Sequence, residues 1–154
     1  MIKLMIADDD FKVRSAINLL LEQDKSCWQV IAEAKNVREL FSIVKKERPQ
    51  LLLLDWELPE ENLGEKAPPY YCLKERISHL KKLSPDMYII VLSSEPQVKA
   101  DAFLAGANQF VSKGDPPEVF LDALYAICEN PSIIKLKNRK QRKIPSRKID
   151  KILL

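Results

Sequence analysis

Four residues with side chains suited to phosphoryl or metal chemistry lie at or just beyond the ends of short apolar runs, and a fifth directly follows one of them. They are Asp8, Asp9, Asp55, Ser93 and Lys113. Each run has the length and composition of a buried strand in a parallel sheet, and ligands of such sheets bind outside the carboxyl ends of the strands. Carboxylates, a hydroxyl and an ammonium at one such edge suit a hard divalent cation and a phosphoryl group. The spacing predicts a single acidic pocket.

The carboxylates are the most informative part of this set. Asp8, Asp9 and Asp10 are consecutive, and although one Asp suits a helix N-terminus, three repel one another unless a cation compensates. Asp55 ends a run of four leucines, where an ionised carboxyl requires hydrogen bonds or a cation. An Asp beside a metal is also a plausible nucleophile, because Asp carboxylates form acyl phosphates. Lys113 would then contact a phosphoryl oxygen as a point charge, and Ser93 would donate a hydrogen bond.

Hydrophobic periodicity indicates the elements that position these residues. Strand-like and helix-like segments alternate five times, which predicts an α/β fold with a parallel sheet, helices on both faces and right-handed crossovers. One of the aspartates before the first helix and Asn36 before the second are the expected N-caps. The predicted strands are 2–7, 28–34, 51–54, 87–92 and 109–112, and the predicted helices are 11–21, 37–46, 71–83, 97–104 and 117–128.

Size and composition exclude several classes of protein. The 154 residues suit one domain with a real core. No apolar run approaches the ~20 residues of a membrane span, and the N-terminus lacks a signal-peptide pattern. Cys27, Cys72 and Cys128 have no metal-ligand spacing, so we expect reduced thiols in a cytoplasmic protein. The single histidine, His79, lies in a polar helical stretch and gives no support to a catalytic triad.

Charge divides the chain into an acidic body and a basic tail. Residues 131–154 contain nine Lys or Arg and one Asp, a net charge of +8, which leaves −5 for residues 1–130 because the total is +3. We therefore expect a globular domain over 1–130 and a basic tail or linker over 131–154. The run 135–143 suits a solvated linker, or nonspecific affinity for nucleic acid or anionic lipid, but it lacks aromatic residues for base stacking.

Four motifs resemble the receiver domain of two-component response regulators, nearest to receivers of the NarL type. They are Met5-Ile-Ala-Asp-Asp-Asp-Phe11, Leu53-Leu-Asp-Trp-Glu-Leu-Pro59, Val91-Leu-Ser-Ser94 and Ala105-Gly-Ala-Asn-Gln-Phe-Val-Ser-Lys113. The resemblance covers residues 1 to about 129, in the family's order. It implies a CheY-like, flavodoxin-like fold with strand order 2-1-3-4-5, and a role in phosphorelay signal transduction.

The resemblance also implies a role for each residue of the pocket. Asp55 would be the phospho-acceptor that forms an aspartyl phosphate, and Asp8 and Asp9 would hold Mg²⁺ together with Asp55 and the backbone carbonyl of Glu57. Ser93 would turn toward the phosphoryl group and Lys113 would bridge to it, while Phe110 would be the aromatic switch. The partners implied are a sensor histidine kinase or phosphotransfer protein and, through the face of the fourth helix, fifth strand and fifth helix, a second copy of the chain.

The chain departs from the family pattern in three places. Gly114 follows Lys113 where many receivers have a proline, Glu57 adds a negative charge at the mouth of the pocket, and the proline-bounded loop Glu60–Pro69 is longer than in compact receivers. This loop could gate access of a kinase or phosphatase, or it could be a tolerated surface insertion. None of these departures removes a group that the chemistry requires.

Three alternatives to a self-sufficient receiver remain open from the sequence. Ile144–Leu154 faintly resembles the opening of the helix-turn-helix output domain that follows NarL-type receivers, which would make the chain part of a longer DNA-binding regulator. A Mg²⁺-dependent phosphohydrolase of the haloacid-dehalogenase type would need a second Asp where Glu57 stands, and a cap domain is not evident. A nucleic-acid-binding protein with its function in the tail is the third.

Overall fold

The computed structural model describes residues 1–60, 69–130 and 132, with the backbone alone for 69–74. Five parallel strands alternate with five α-helices, and a short 3₁₀ turn, Pro96–Val98, precedes the fourth helix. The strands are β1 Ile2–Ala7, β2 Trp28–Ala34, β3 Leu51–Asp55, β4 Tyr88–Ser93 and β5 Gln109–Ser112. The helices are α1 Phe11–Leu21, α2 Val37–Glu47, α3 Pro69–Leu83, α4 Lys99–Ala105 and α5 Pro117–Glu129. The predicted α/β class is confirmed.

The strands form one sheet in the order β2-β1-β3-β4-β5. This is the flavodoxin-like order expected from the resemblance. The order reverses direction between β1 and β3, which pair in parallel from Leu4↔Leu51 to Ala7↔Leu54. The edge outside the carboxyl ends at such a reversal is where open α/β sheets bind ligands, and it is where the predicted pocket lies.

Alternating side chains of the central strands build two apolar layers. Leu52 and Leu54 pack on one face with residues of α2, α3 and α4, while Leu51 and Leu53 pack on the other with residues of α1 and α5. Because β3 is covered on both faces, every one of its leucines is buried, as a continuous apolar run in a parallel sheet requires. Asp55 therefore lies at the end of a closely packed strand, where the strand reaches the edge of the sheet.

Local capping sets where the helices begin and end. Asn36 accepts a hydrogen bond from the Glu39 N–H, which confirms that predicted N-cap. At the first helix the capping aspartate is Asp10, which accepts a hydrogen bond from the Lys12 N–H. The single helix predicted over 97–104 is instead the 3₁₀ turn followed by α4. Gly106 ends α4 with a φ of 111°, a conformation that glycine adopts without the steric cost of a Cβ.

The cysteine prediction was wrong for two of the three residues. Cys27, just before β2, and Cys128, in the last turn of α5, form a disulfide with a Cα–Cα distance of 6.0 Å. The sequence showed only an odd cysteine count without a motif, whereas the fold brings the α1–β2 loop beside the end of α5. Side-chain contacts of Cys72, residues 61–68 of the long loop and most of the basic tail lie outside the described part of the chain.

No helix in the described part of the chain combines the length and apolar character that crossing a lipid bilayer requires.

Candidate functional site

The carboxyl ends of β1, β3, β4 and β5 bring the predicted pocket residues to one edge of the sheet. Asp8 follows β1, Asp55 is the last residue of β3, Ser93 is the last residue of β4, and Lys113 follows β5. Asp8, Asp55 and Ser93 are each at least 97% buried. Parallel pairing places these positions side by side although they are far apart in sequence.

An ammonium group joins the two buried carboxylates. Lys113 Nζ lies 2.8 Å from Asp8 Oδ2 and 3.2 Å from Asp55 Oδ1, and the Lys113 side chain is only 24% exposed. The other oxygen of Asp8, Oδ1, accepts a hydrogen bond from the Asp10 N–H at 2.9 Å. One lysine therefore compensates part of the charge of two carboxylates that are removed from solvent.

The pKa values of these groups reflect that incomplete compensation. Burial, and secondly the charge of Asp8, raises the pKa of Asp55 to about 6, although Lys113 and the hydrogen bond from the Glu57 N–H oppose the rise. Desolvation alone would lower the pKa of Lys113, but its hydrogen bond to Asp8 and the nearby charge of Asp55 raise it on balance. The pocket thus holds excess negative charge that a further cation would stabilise.

Three carboxylates are arranged to share such a cation. One oxygen from each of Asp8, Asp9 and Asp55 lies within 4.8 Å of the others, with Asp9 exposed and the other two buried. Hard divalent cations prefer such oxygen donors, and Mg²⁺ is commonly held by one or two carboxylates with several waters. The donor set fits Mg²⁺. Glu57 is exposed at the mouth of the pocket, and its N–H donates to Asp55 Oδ1 at 3.1 Å.

Ser93 and Phe110 lie on the two strands that flank the other side of the pocket. The Ser93 carbonyl accepts a hydrogen bond from the Lys113 N–H at 2.8 Å, which fixes the backbone of these two site residues together. Ser93 Oγ accepts a hydrogen bond from the Glu95 N–H at 3.0 Å. Phe110 pairs with Val91 across the sheet and is half-buried against the apolar layer of α2, α3 and α4.

Two arginines near the site were not predicted. Arg14 Nη1 donates to the Asp8 carbonyl at 2.7 Å, and Arg76 Nη1 donates to the Leu58 carbonyl at 2.6 Å. A usable sequence signal existed for Arg14, because it is three residues before buried Ile17 on the apolar face of α1. A charged residue in such a stripe requires a buried partner.

Comparison with known proteins identifies the family. Residues 4–125 match the response regulator receiver domain. The chain is 29% identical over 129 residues to the chemotaxis protein CheY of Thermotoga maritima, covering 82% of this chain and 98% of CheY. It is also 24% identical over 137 residues to the oxygen regulatory protein NreC of Staphylococcus epidermidis, covering 88% of this chain and 58% of NreC. The chain thus spans little more than half the length of that relative.

Solved structures agree on the fold. The isolated receiver domain of RcsB from Salmonella enterica serovar Typhimurium superposes with a TM-score of 0.70 at 24% identity, covering 84% of this chain and 89% of the RcsB chain. A LuxR-family response regulator from Aurantimonas sp. SI85-9A1 gives a TM-score of 0.68 at 24% identity, with coverages of 84% and 86%. The fold, the acidic edge and the match over most of the chain lead to one conclusion: this chain belongs to the response regulator receiver family of two-component signalling proteins.

Proposed function

We propose that Asp55 accepts a phosphoryl group from the phosphohistidine of a sensor histidine kinase or phosphotransfer protein, in a Mg²⁺-dependent reaction. The observation that carries this proposal is the convergence of Asp8, Asp9, Asp55 and Lys113. Receiver domains are signalling domains rather than metabolic enzymes, so transfer to Asp55 and its later hydrolysis are the only chemistry proposed here. The phosphohydrolase alternative is disfavoured, because residues 4–125 match a signalling domain.

Each residue has a defined task in the proposed reaction. The Asp55 carboxylate attacks phosphorus while the P–N bond to the donor imidazole breaks, and an acyl phosphate forms. Side chains of Asp8, Asp9 and Asp55 and the backbone carbonyl of Glu57 would hold Mg²⁺, which when bound supplies positive charge for the phosphoryl oxygens. Lys113, already bonded to both buried carboxylates, moves its ammonium to a phosphoryl oxygen.

The acyl phosphate is removed by hydrolysis. A water molecule attacks the phosphorus of the acyl phosphate, the bond between phosphorus and the Asp55 oxygen breaks, and the carboxylate is regenerated with release of phosphate. Ser93, at the end of β4, donates a hydrogen bond to the phosphoryl group in the phosphorylated state. The change at Ser93 is passed to Phe110 on the adjacent strand, which alters the face formed by α4, β5 and α5. This is a two-state element biased by a new charge.

The first test is the intact mass of the protein after incubation with acetyl phosphate and Mg²⁺. We expect one added phosphoryl group in the wild type and in Asp122→Asn, which removes an exposed carboxyl from α5. Asp55→Asn and wild type with a chelator should gain none. Equal phosphorylation of Asp55→Asn would exclude Asp55 as the acceptor, and addition in the presence of chelator would exclude the need for a metal.

We further propose that residues 1–130 form the receiver and that 131–154 form a tail or linker that contacts DNA phosphates through its basic residues. Two observations favour this second function: the +8 charge of residues 131–154, and a span of 58% of NreC. Many receivers act on DNA through an output domain, and phosphorylation commonly pairs two copies through the α4–β5–α5 face.

Gel shifts with duplex DNA at several salt concentrations test the tail directly. The full chain should shift DNA at low salt and lose binding as salt rises, because lysine and arginine contacts release counterions. Combined substitution of Arg139, Lys140, Arg142 and Lys143 with Gln should weaken the shift strongly, because it removes four of the nine basic residues of the tail. Matched substitution of four exposed lysines of the globular domain, Lys25, Lys45, Lys46 and Lys82, should leave the shift unchanged. An equal loss in both variants would assign binding to net charge alone.

A further inference from the structure

The short segment that leaves β3 carries the proposed phospho-acceptor at one end and is fastened at the other. Its residues are Asp55 to Glu60, which we call the β3 exit segment. The Leu58 carbonyl accepts a hydrogen bond from Arg76 Nη1 at 2.6 Å. The next carbonyl, that of Pro59, accepts one from the Val37 N–H at 2.9 Å. Two adjacent carbonyls are therefore bound by two different helices, α3 and α2.

Arg76 makes the side-chain part of this attachment. Its side chain is 11% exposed, and a second nitrogen, Nη2, lies 3.2 Å from Glu60 Oε1. Glu60 is 46% exposed, so that ion pair contributes little. The bond to Leu58 is different because Leu58 is 2% exposed. A carbonyl there has no easy access to water if the guanidinium is removed, and an unpartnered buried polar group is costly.

The attached segment includes the backbone that would complete the metal site. Between Asp55 and Leu58 the chain turns sharply: the Leu58 N–H donates to the Asp55 carbonyl at 3.2 Å, and the Glu57 N–H donates to Asp55 Oδ1 at 3.1 Å. Glu57, whose carbonyl we assign to Mg²⁺, is thus held between the β3 strand and the Arg76 anchor. Movement of Leu58 would be transmitted to Glu57 through a single peptide unit.

We propose that Arg76 is a positioning residue that sets the Mg²⁺ affinity of the pocket by holding the β3 exit segment. This inference rests on the proposed function, because it takes the Glu57 carbonyl as a metal ligand. Arg76 does not touch the phosphoryl group or the metal, and it acts only through the placement of Leu58 and Glu57. Loss of outer partners of this kind weakens metal binding by about tenfold or more.

Helix α3 is also held on the sheet by apolar contacts. The neighbouring Ile77 and Leu80 are completely buried in the apolar layer on that face of the sheet. Replacing Arg76 with Met keeps a long, unbranched side chain and removes its donors, so α3 should remain docked. The matched control is Lys82→Met, which removes a positive charge from an exposed position of the same helix.

The experiment is a Mg²⁺ titration followed by Trp56 fluorescence, together with the rate of phosphorylation by acetyl phosphate as a function of Mg²⁺. Trp56 reports directly because it lies inside the β3 exit segment. We expect the Mg²⁺ dissociation constant of Arg76→Met to rise about tenfold, while Lys82→Met matches wild type. The phosphorylation rate at saturating Mg²⁺ should stay within about twofold of wild type, since Asp55 and Lys113 are untouched. Arg76→Lys, which retains one donor, should fall between wild type and Arg76→Met.

The outcomes separate this inference from the proposed function. If wild type neither binds Mg²⁺ nor becomes phosphorylated, the proposed function fails. If wild type does both and Arg76→Met has the Mg²⁺ affinity of Lys82→Met, the inference alone is overturned. A lower maximal rate with unchanged Mg²⁺ affinity also overturns it, because that pattern indicates general damage. Should Arg76→Met fail to fold, Arg76→Lys decides: weaker Mg²⁺ binding supports the inference and unchanged binding refutes it.

Discussion

Replacing Asp55 with Asn should stabilise the metal-free protein at neutral pH and lose that effect in acid. The carboxyl lies at the end of a buried strand, 3% exposed, and its ionised form is disfavoured first by burial and then by Asp8. Asn keeps the shape of the side chain and an oxygen that can accept the Glu57 N–H. It removes the charge that the pocket compensates poorly in the absence of a cation.

The magnitude follows from the shift in pKa. The folded-state pKa of about 6 stands against an ordinary value of 3.8, so ionising Asp55 costs the folded state about 3 kcal/mol. Because the folded pKa is raised, the native state binds the proton more tightly than the unfolded state. The contribution of Asp55 to the unfolding free energy is therefore most favourable below about pH 4, declines as the pH rises toward 6, and is least favourable above that.

Urea unfolding from pH 4 to pH 8 with a chelator measures this directly. We expect the unfolding free energy of Asp55→Asn to exceed that of wild type by about 2 to 3 kcal/mol at pH 8, with the difference vanishing near pH 4. The attraction between Lys113 and the ionised carboxylate is already included in this gain, because it is one of the effects that set the pKa of Asp55. A difference that is constant across this range would refute the reasoning. Added Mg²⁺ should stabilise wild type at pH 8 and leave Asp55→Asn nearly unchanged.

Three further predictions concern the fold. In oxidising buffer, Cys128→Ser should lower the unfolding free energy by about 2 to 4 kcal/mol, because the disulfide to Cys27 closes a long loop. This difference from wild type should vanish when a reductant is present. Equal stability of the variant and wild type in both buffers would exclude the disulfide in solution. Gly106→Ala should cost about 1 to 2 kcal/mol in urea unfolding, because alanine is strained at a φ of 111°; a neutral result would contradict that backbone conformation. Asn36→Ala should lower the unfolding free energy measured with urea by about 1 kcal/mol, because it removes the N-cap of α2. Asn36→Asp, which can also accept the Glu39 N–H, should have the stability of wild type.

Much of the fold could be predicted because its signals are local. Apolar runs of strand length alternate with helical stripes, so the bounds of β1, α1, β2 and β5 were predicted to the residue. The predicted start of α4 was wrong, because the backbone at Pro96–Val98 forms a 3₁₀ turn before that helix begins. Asp8, Asp9, Asp55 and Lys113 could also be predicted as neighbours, because parallel strands bring their carboxyl ends to one edge.

Other features depend on contacts that no local pattern encodes. The pairing of Cys27 with Cys128 across 101 positions follows from α1 and α5 sharing one face of the sheet, and spacing alone cannot reveal that. The anchoring of Leu58 by Arg76 depends on the distance between two elements joined by a long loop. The sequence alone determined which chemical groups the pocket contains, because residue type and strand ends are local properties. Tertiary structure decided how those groups are held and how strongly their charges interact, because burial and distance arise only when the layers pack.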